Sequence, residues 1–488
     1  MRDRDRGLKT ADELLLLERG QDELLLANGA DVRPLYVNKG RQYIREFLKA
    51  AGDLGTRRNI LHAYPHETNL LDLLLDRGIL VPQDGVRPNV PLEKARQAQQ
   101  PGKKSSISLY LLLSQSCNMR CVYCLDGRRT YQTDQSLTMG REVAFRSIER
   151  CLEQLADNGR IEIIFFGGEP LLNWPMAKEA IAHCELCLQG KHKGKQRHYH
   201  VTSNLSVLPN DLIEWAKRFS ISFLCDVDGP PEVHDRCRPF QDGSSSYQAI
   251  AGNIGQLRAA GLRVDLRATV TSLNQDCLVE TARQHKELGG SSCAFVPVNP
   301  VDSDENILPE ALLPSPERVM QGVVDVFTSN IWEPDQVFPF NQYAARFAPG
   351  PLTGLGCGAP SGNIAVVAAN GDVYPCIYLV GIGKFQIGNV RDDSYPKTAV
   401  LARMCGELHV DQRDDCKACN WRYLCRGGCP LGRMTVQDNP KATPTVKAYC
   451  TQMCCAYTRR ILETLLWAKA QETVTNHAKQ PTQVPVCL

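Results

Sequence analysis

Apolar residues fall into two rhythms along this chain, parted by a polar stretch. In "DELLLLERGQDELLLANG" (residues 12–29) two leucine runs flank a turn at Gly20–Asp22, which predicts two short strands. "RPLYVN" (33–38) predicts a third. Helical spacing follows over 40–51, 56–63 and 66–77. The last of these carries Leu70, Leu71, Leu74 and Leu75 and stops at Gly78. Strands followed by three short helices have a winged helix-turn-helix outline, so residues 1–81 are expected to form a winged-helix-like α+β domain. Residues 82–106 are rich in Pro, Gly, Gln and charge and nearly free of aliphatic side chains, the composition of a linker.

From residue 107 short apolar runs alternate with helical segments. Strands are predicted at 107–113, 161–166, 198–202, 221–225, 262–270 and 293–298. A helix over 139–157 has Ala144, Ile148, Cys151, Leu152 and Leu155 as its apolar stripe, Thr138 as N-cap and Gly159 past its end. Ile250, Ile254 and Leu257 repeat at helical spacing before Gly261. About six βα units are fewer than a closed eightfold barrel needs, so an α/β fold with an open, partial (βα)6 barrel is expected over 107–310. Ser315 and Pro316 open a helix bearing Val319, Val323 and Phe327, within a bridging helical region over 311–350. Gly, Pro and Cys dominate beyond it, predicting a cysteine-rich domain at 351–460. Residues 461–488 read as the end of a helix and a disordered tail, "TVTNHAKQPTQVPVCL".

Charge narrows the function classes. Lys+Arg is 56 and Asp+Glu 54, a net +2 that leaves no electrostatic footprint for nucleic acid or membrane. Over residues 1–81 basic and acidic residues are equal in number, so the winged-helix outline lacks the basic excess of a DNA reader. No apolar run reaches spanning length, and Leu14–Leu17 is too short for a signal-peptide core. A cytoplasmic location is expected, with neither nucleic acid nor membrane as partner. In a reducing compartment the 21 cysteines read as metal ligands rather than disulfides.

The first cysteine array is "QSCNMRCVYC", with Cys117, Cys121 and Cys124 spaced C-x3-C-x2-C just after the first barrel strand. A structural zinc site wants four protein ligands. Three thiolates suit a [4Fe–4S] cluster whose fourth iron stays open. The array lies at the C-terminal mouth of the strands, where barrel sites form. "FFGGEP" ends the second strand with Gly167, Gly168, Glu169 and Pro170, and "VTSN" ends the third with Ser203 and Asn204. "CDVDGPPEVHDRCR" follows the fourth, with Asp226, Asp228, Gly229, Pro230, His234, Asp235 and Arg238. Arg267 lies near the end of the fifth. Cys184 and Cys187 in "CELC" fall inside a helix and read as core packing.

These motifs resemble the radical S-adenosylmethionine (SAM) superfamily, whose cysteine signature carries an aromatic residue before its last cysteine, here Tyr123. The resemblance implies that SAM chelates the open iron and is cleaved to a 5′-deoxyadenosyl radical that takes a hydrogen atom from substrate. It implies SAM contacts by the Gly167–Pro170 motif and by Ser203 and Asn204. Asp226 stands where relatives have serine and is expected to accept from the ribose, with Arg267 on the SAM carboxylate.

The second array is C-terminal. Cys357, Gly371 and Cys376 precede Cys416, Cys419, Cys425 and Cys429, spaced C-x2-C-x5-C-x3-C, with Cys450 beyond. Spacing alone also admits zinc ribbons. The pattern resembles the SPASM domain, which implies two auxiliary [4Fe–4S] clusters and three in all. The resemblance assigns Cys416, Cys419, Cys425 and Cys450 to the outer one and Cys357, Cys376 and Cys429 to the inner. The inner cluster is then one ligand short. Either it has an open iron, or Cys405, Cys454 or Cys455 completes it.

Enzymes of this kind that modify peptides often carry a PqqD-like N-terminal domain for the leader of a precursor peptide, which would add a strand to the sheet here. The expected function is maturation of a ribosomally made peptide by oxidative cross-linking, through a thioether or C–C bond. The resemblance implies flavodoxin or ferredoxin as electron donor. Formylglycine formation, peptide epimerisation and a non-enzymatic leader-peptide or DNA-binding adaptor are the alternatives.

Overall fold

Leucines at consecutive positions near the N-terminus imply a strand buried on both faces, and that is how they fold. The computed structural model describes residues 7–84, 103–124, 138–348, 353–392 and 395–479. Most of the expected linker, the segment after Cys124, and residues 480–488 with Cys487 lie outside it. Strands β2 (Leu14–Arg19), β3 (Glu23–Asn28) and β4 (Asp31–Val37) form an antiparallel sheet, and a short β1 (Leu8–Thr10) precedes them. Helices α1 (Arg41–Leu54), α2 (Arg57–Ala63) and α3 (Thr68–Asp76) follow, and β5 (Leu80–Pro82) pairs with β1. Strands of three residues are too short to show a period, so β1 and β5 were invisible to patterning.

Leu24 and Leu26 pack on Ile44, Phe47, Leu71 and Leu74 of the helices. Leu15, Leu25 and Ala27 face the other way, into a core shared with Leu466 and Trp467 of a helix over Pro444–Lys479. The N-terminal unit is therefore docked on the C-terminal region. Tyr36 meets Trp467 edge-on at 6.1 Å, and Asn420 Nδ2 donates to the Leu14 carbonyl at 2.9 Å. Glu13, 1% exposed, pairs with Arg422, 5% exposed, at 3.1 Å. Removing one partner of a buried pair costs about 3–5 kcal/mol. Asp411 also faces Arg422, at 3.5 Å. Glu13→Ala is therefore expected near the lower end, about 3 kcal/mol, read as a lower urea midpoint. A change under about 0.5 kcal/mol, the usual range for surface substitutions, would show that the pair does not hold this interface.

Six parallel strands build the central sheet in sequence order: β6 (Lys104–Ser114), β7 (Leu155–Gly167), β8 (Gln196–Thr202), β9 (Ser222–Asp226), β10 (Val264–Val270) and β11 (Cys293–Pro297). The expected six-strand series is present, and the sheet extends beyond it. Strand β12 (Val337–Phe338) adds in parallel to β11, and β13 (Ile364–Val367) adds in parallel to β6. Strands β14 (Asp372–Tyr374) and β15 (Gly388–Asn389) complete ten. The cysteine-rich region thus shares the barrel's sheet.

Leu109, Leu111 and Leu113 of β6 alternate into a core with Ile161, Ile163 and Phe165 of β7. Helices α4 (Arg141–Gln154) and α5 (Trp174–Gln189) cover it with Ile148, Leu152, Ala180 and Ile181. The expected 139–157 helix is shorter at both ends. Gly140 is its N-cap, while Thr138 bridges Ser114. Leu155 pairs with Lys104 as the first residue of β7, which also contains Gly159, so strand pairing overrides the helical period. The predicted helix at 316–328 is present, with Ser315 Oγ accepting from the Arg318 amide at 3.4 Å. Cys184 and Cys187 lie inside α5 as expected, with Cys184 fully buried. The C-terminal helix runs to Lys479, so 473–479 are helical where a tail was expected. Among the described residues no helix is long and apolar enough to cross a membrane.

Candidate active site

The chain leaves β6 at Ser114 and carries Cys117, Cys121 and Cys124 across the mouth of the sheet. Arg120 and Val122 amides donate to the carbonyls of Pro239 (2.8 Å) and Cys237 (3.0 Å), so the cysteine loop is pinned to the segment after the Asp-Gly-Pro block. The start of the loop is pinned to the end of β7. Gly168 and Glu169 amides donate to the carbonyls of Ser114 (2.8 Å) and Ser116 (2.9 Å). This approach demands glycine. Gly167 has φ +131°, and a Cβ there would strike the Ser114 carbonyl oxygen. A Cβ on Gly168 would strike that of Ser116.

All three thiols open on one cavity of about 180 Å³. Tyr123, Gly167, Gly168, Ser203, Asn204, Asp226 and Arg267 line it too; Glu169 and Pro170 stand behind the wall. Glu169 is completely buried, accepting from the Leu171 amide (2.9 Å), Ser203 hydroxyl (2.8 Å) and Asn204 amide (2.8 Å). Burial, partly offset by these bonds, moves its pKa up to about 7. Ser203 and Asn204 thus hold Glu169, and the Asn204 side chain donates to Asn118 at 3.0 Å beside the Cys117 sulfur.

Asp226 and Arg267, both expected on SAM, face each other. Arg267 Nε and Nη2 donate to the two Asp226 oxygens at 2.6 and 3.0 Å. Arg238 approaches Asp226 at 3.5 Å and donates to the Tyr123 hydroxyl at 2.6 Å. Tyr123 in turn donates to Asp228. Burial alone would raise the Asp226 pKa; the guanidinium charges of Arg267 and Arg238 outweigh it and hold it at about 2. Asp228 accepts from the Thr269 amide at 2.9 Å, and burial moves it up to about 6. Asp235 accepts from the amides of Ser246 and Tyr247 at 2.9 and 3.0 Å, ordering the start of a helix.

Two histidines brace this wall. His285 Nε2 bonds the Val227 carbonyl at 2.7 Å, and His234 lies between the Asp228 amide (3.3 Å) and Ser246 Oγ (3.1 Å). Burial lowers His285 to about 4, and burial with Arg238 lowers His234 to about 3. A depressed folded pKa contributes stability that is complete above the unfolded value of 6.5 and is lost as pH falls toward 4. Thermal midpoints should fall between pH 7 and 5, and His285→Gln, which keeps a donor for Val227, should flatten that slope. An unchanged slope would rule His285 out as its source.

Sequence reading missed Asn299, after β11, and Ile377, Tyr378 and Val380, all lining the cavity. Tyr378 had a signal, two residues after Cys376. It is raised to about 12 by burial, with Arg267 opposing and Cys376 and Cys429 adding, which places it between the cavity and the inner cysteines. Cys357, Cys376 and Cys429 are gathered, since Cys376 senses both of the others. Cys425 senses Cys455 and Cys419, and Cys416 senses Cys425 and Cys455. Cys450, expected with the outer three, feels Cys429 and lines a second cavity together with Cys454 and Cys455. Three thiols on one cavity and two further thiol groups are donor sets that fit iron–sulfur clusters.

Residues 111–285 match the family model of the Radical SAM superfamily. The chain is 24% identical over 344 residues to a cysteine-type anaerobic sulfatase-maturating enzyme of Clostridium perfringens, covering 67% of this chain and 89% of that one. It is 24% identical over 353 residues to the mycofactocin maturase MftC of Mycolicibacterium smegmatis, covering 70% and 82%. Its fold is similar to native anSMEcpe with bound AdoMet, at TM-score 0.59 and 19% identity over 73% of this chain and 99% of that one. Streptococcus suis SuiB shares the fold at TM-score 0.51 and 13% identity, over 90% and 99%.

Proposed function

We propose that this radical SAM enzyme, a maturase of peptide or protein substrates, oxidatively cross-links a ribosomally made precursor peptide. The observation that carries the reading is the convergence of Cys117, Cys121 and Cys124 on one cavity with the Gly167–Gly168 turn. A [4Fe–4S] cluster on those thiolates, with SAM, supplies the 5′-deoxyadenosyl radical that takes a hydrogen atom from the substrate. The chain's own part is placement. Gly167 and Gly168 bring backbone against the ligand, and Glu169 holds Ser203 and Asn204 at its edge. The Asp226–Arg267–Arg238 network keeps that wall rigid, with Asn299 and Val298 closing the far side.

Cys357, Cys376, Cys416, Cys419, Cys425, Cys429 and Cys450 are ligands of two auxiliary clusters that take the surplus electron, and flavodoxin or ferredoxin supplies the first cluster. The sheet β2–β3–β4 offers its edge to the leader segment. A second reading, oxidation of one side chain to formylglycine, is favoured by the likeness to the sulfatase-maturating enzyme over two thirds of this chain.

The test uses the anaerobically reconstituted protein with SAM and reductant, in heavy water, on a small peptide encoded beside its gene. Mass spectrometry should show loss of two hydrogens without deuterium uptake, and fragmentation should place the change between two residues. An aldehyde at one residue would favour formylglycine. One deuterium gained at carbon with no other change would mean epimerisation and overturn cross-linking.

A further inference from the structure

We propose that Glu149, His183 and Cys187, at the seam between α4 and α5, bind one zinc ion, apart from the cysteines read as cluster ligands. The seam is a ladder. Each helix offers it a residue every four positions, a spacing that keeps them on one face. At one end Arg141 donates through two nitrogens to Glu179, both at 2.7 Å. Next, Phe145 lies flat on the His183 ring, with centroids 3.9 Å apart and planes 2° from parallel. Glu149 and Cys187 follow. At the far end Lys191 reaches Glu153 at 2.9 Å.

The third rung differs in chemistry from the ion pairs at either end. His183 Nε2 stands 2.9 Å from Glu149 Oε1 and 3.6 Å from Cys187 Sγ. The three donor atoms all lie within 4.8 Å of one another. One proton on Nε2 serves one of these neighbours well, whereas a cation set among the three binds all. His183 and Cys187 are four residues apart on α5, a spacing that aims two ligands at one metal. Tetrahedral zinc, with Zn–S about 2.3 Å and Zn–N about 2.0 Å, sets nitrogen and sulfur about 3.5 Å apart. The pair already stands at that separation. Nitrogen and oxygen need about 3.3 Å, so the carboxylate withdraws by about 0.4 Å. The Glu149 side chain is 47% exposed, which leaves it room to do so and opens the fourth position to water. The Phe145 stack holds the imidazole plane. A thiolate, an imidazole and a carboxylate together suit zinc, while magnesium and calcium take oxygen sets. Cys184, the other cysteine of "CELC", is fully buried and takes no part. In the chain α4 follows the three-thiol loop and α5 follows the Gly167–Pro170 turn, so the ion ties together the helices behind both motifs.

The test uses the full chain carrying its clusters, given one equivalent of zinc chloride anaerobically and then desalted. X-ray absorption at the zinc edge sees this ion apart from iron. It should show one sulfur at about 2.3 Å and nitrogen or oxygen at about 2.0 Å. Cys187→Ala should remove the sulfur, and Cys187→Ala and His183→Ala should each weaken zinc at least about tenfold against a chelator. Iron content should stay at the parent's level in both. Two or more sulfurs around the zinc would put it among other cysteines and overturn the site. Zinc that washes off the parent, or binds both variants as tightly as the parent, would do the same. Iron lost together with zinc would mean that these residues act through the clusters, and would overturn a separate site. Should an alanine variant misfold, Glu149→Gln changes the most exposed ligand and should also weaken zinc; unchanged affinity there overturns the three-ligand site.

Discussion

Cys121→Ala should lower 5′-deoxyadenosine formation to the level of iron-free protein and remove about four irons per chain. Cys121 lines the cavity, and burial raises its pKa to about 12. A ligand must be a thiolate, so loading this site releases protons and iron uptake should steepen as pH rises. With one thiolate gone, two anchors remain for a cluster that already lacks a fourth. The fold should survive, because the loop is also held by the Arg120 and Val122 amides and by Met119, which is buried in the barrel core. Far-UV circular dichroism and the urea midpoint check that point. SAM cleavage by a well-folded Cys121→Ala protein at the parental rate would refute the assignment of this array.

Asp226→Asn should be the most destabilising change that leaves every cysteine in place. Its carboxylate faces two guanidiniums, the half-buried Arg267 at 2.6 Å and the buried Arg238 at 3.5 Å. The amide keeps the shape but removes the charge that offsets both. Unpairing a buried charge costs about 3–5 kcal/mol, and here one carboxylate serves two guanidiniums, of which Arg238 keeps Asp228 as a second countercharge. The damage should reach Tyr123 and Asp228 through Arg238, so SAM affinity, measured calorimetrically on reconstituted protein, should drop with stability. Asp226→Glu should recover part of both. A loss of stability under 1 kcal/mol with unchanged SAM affinity would mean that the network neither braces the wall nor orders Tyr123.

The barrel was legible because each strand is a short apolar run bounded by chemistry-bearing residues. Cys117, Gly167, Ser203 and Asp226 each follow or end a parallel strand, and parallel strands put all those ends on one rim. Knowing the order of the strands therefore located the site. What each residue does there was less accessible. Asp226 and Arg267 are 41 residues apart and belong to adjacent strands in register, so each is the other's nearest countercharge. Ser203 and Asn204 are taken up by Glu169 for the same reason of proximity across strands.

The sequence by itself determined the six-strand rhythm, the three-thiol loop and its glycine partner, because these depend on local spacing and on which side chains can sit beside one another in the chain. Only the tertiary structure decided that one face of β3 packs on α1 and α3 and the other on the C-terminal helix, that β13 joins the barrel sheet, and that Cys450, Cys454 and Cys455 of that helix line one cavity. The physical reason is that such choices depend on the packing angle of one element on another.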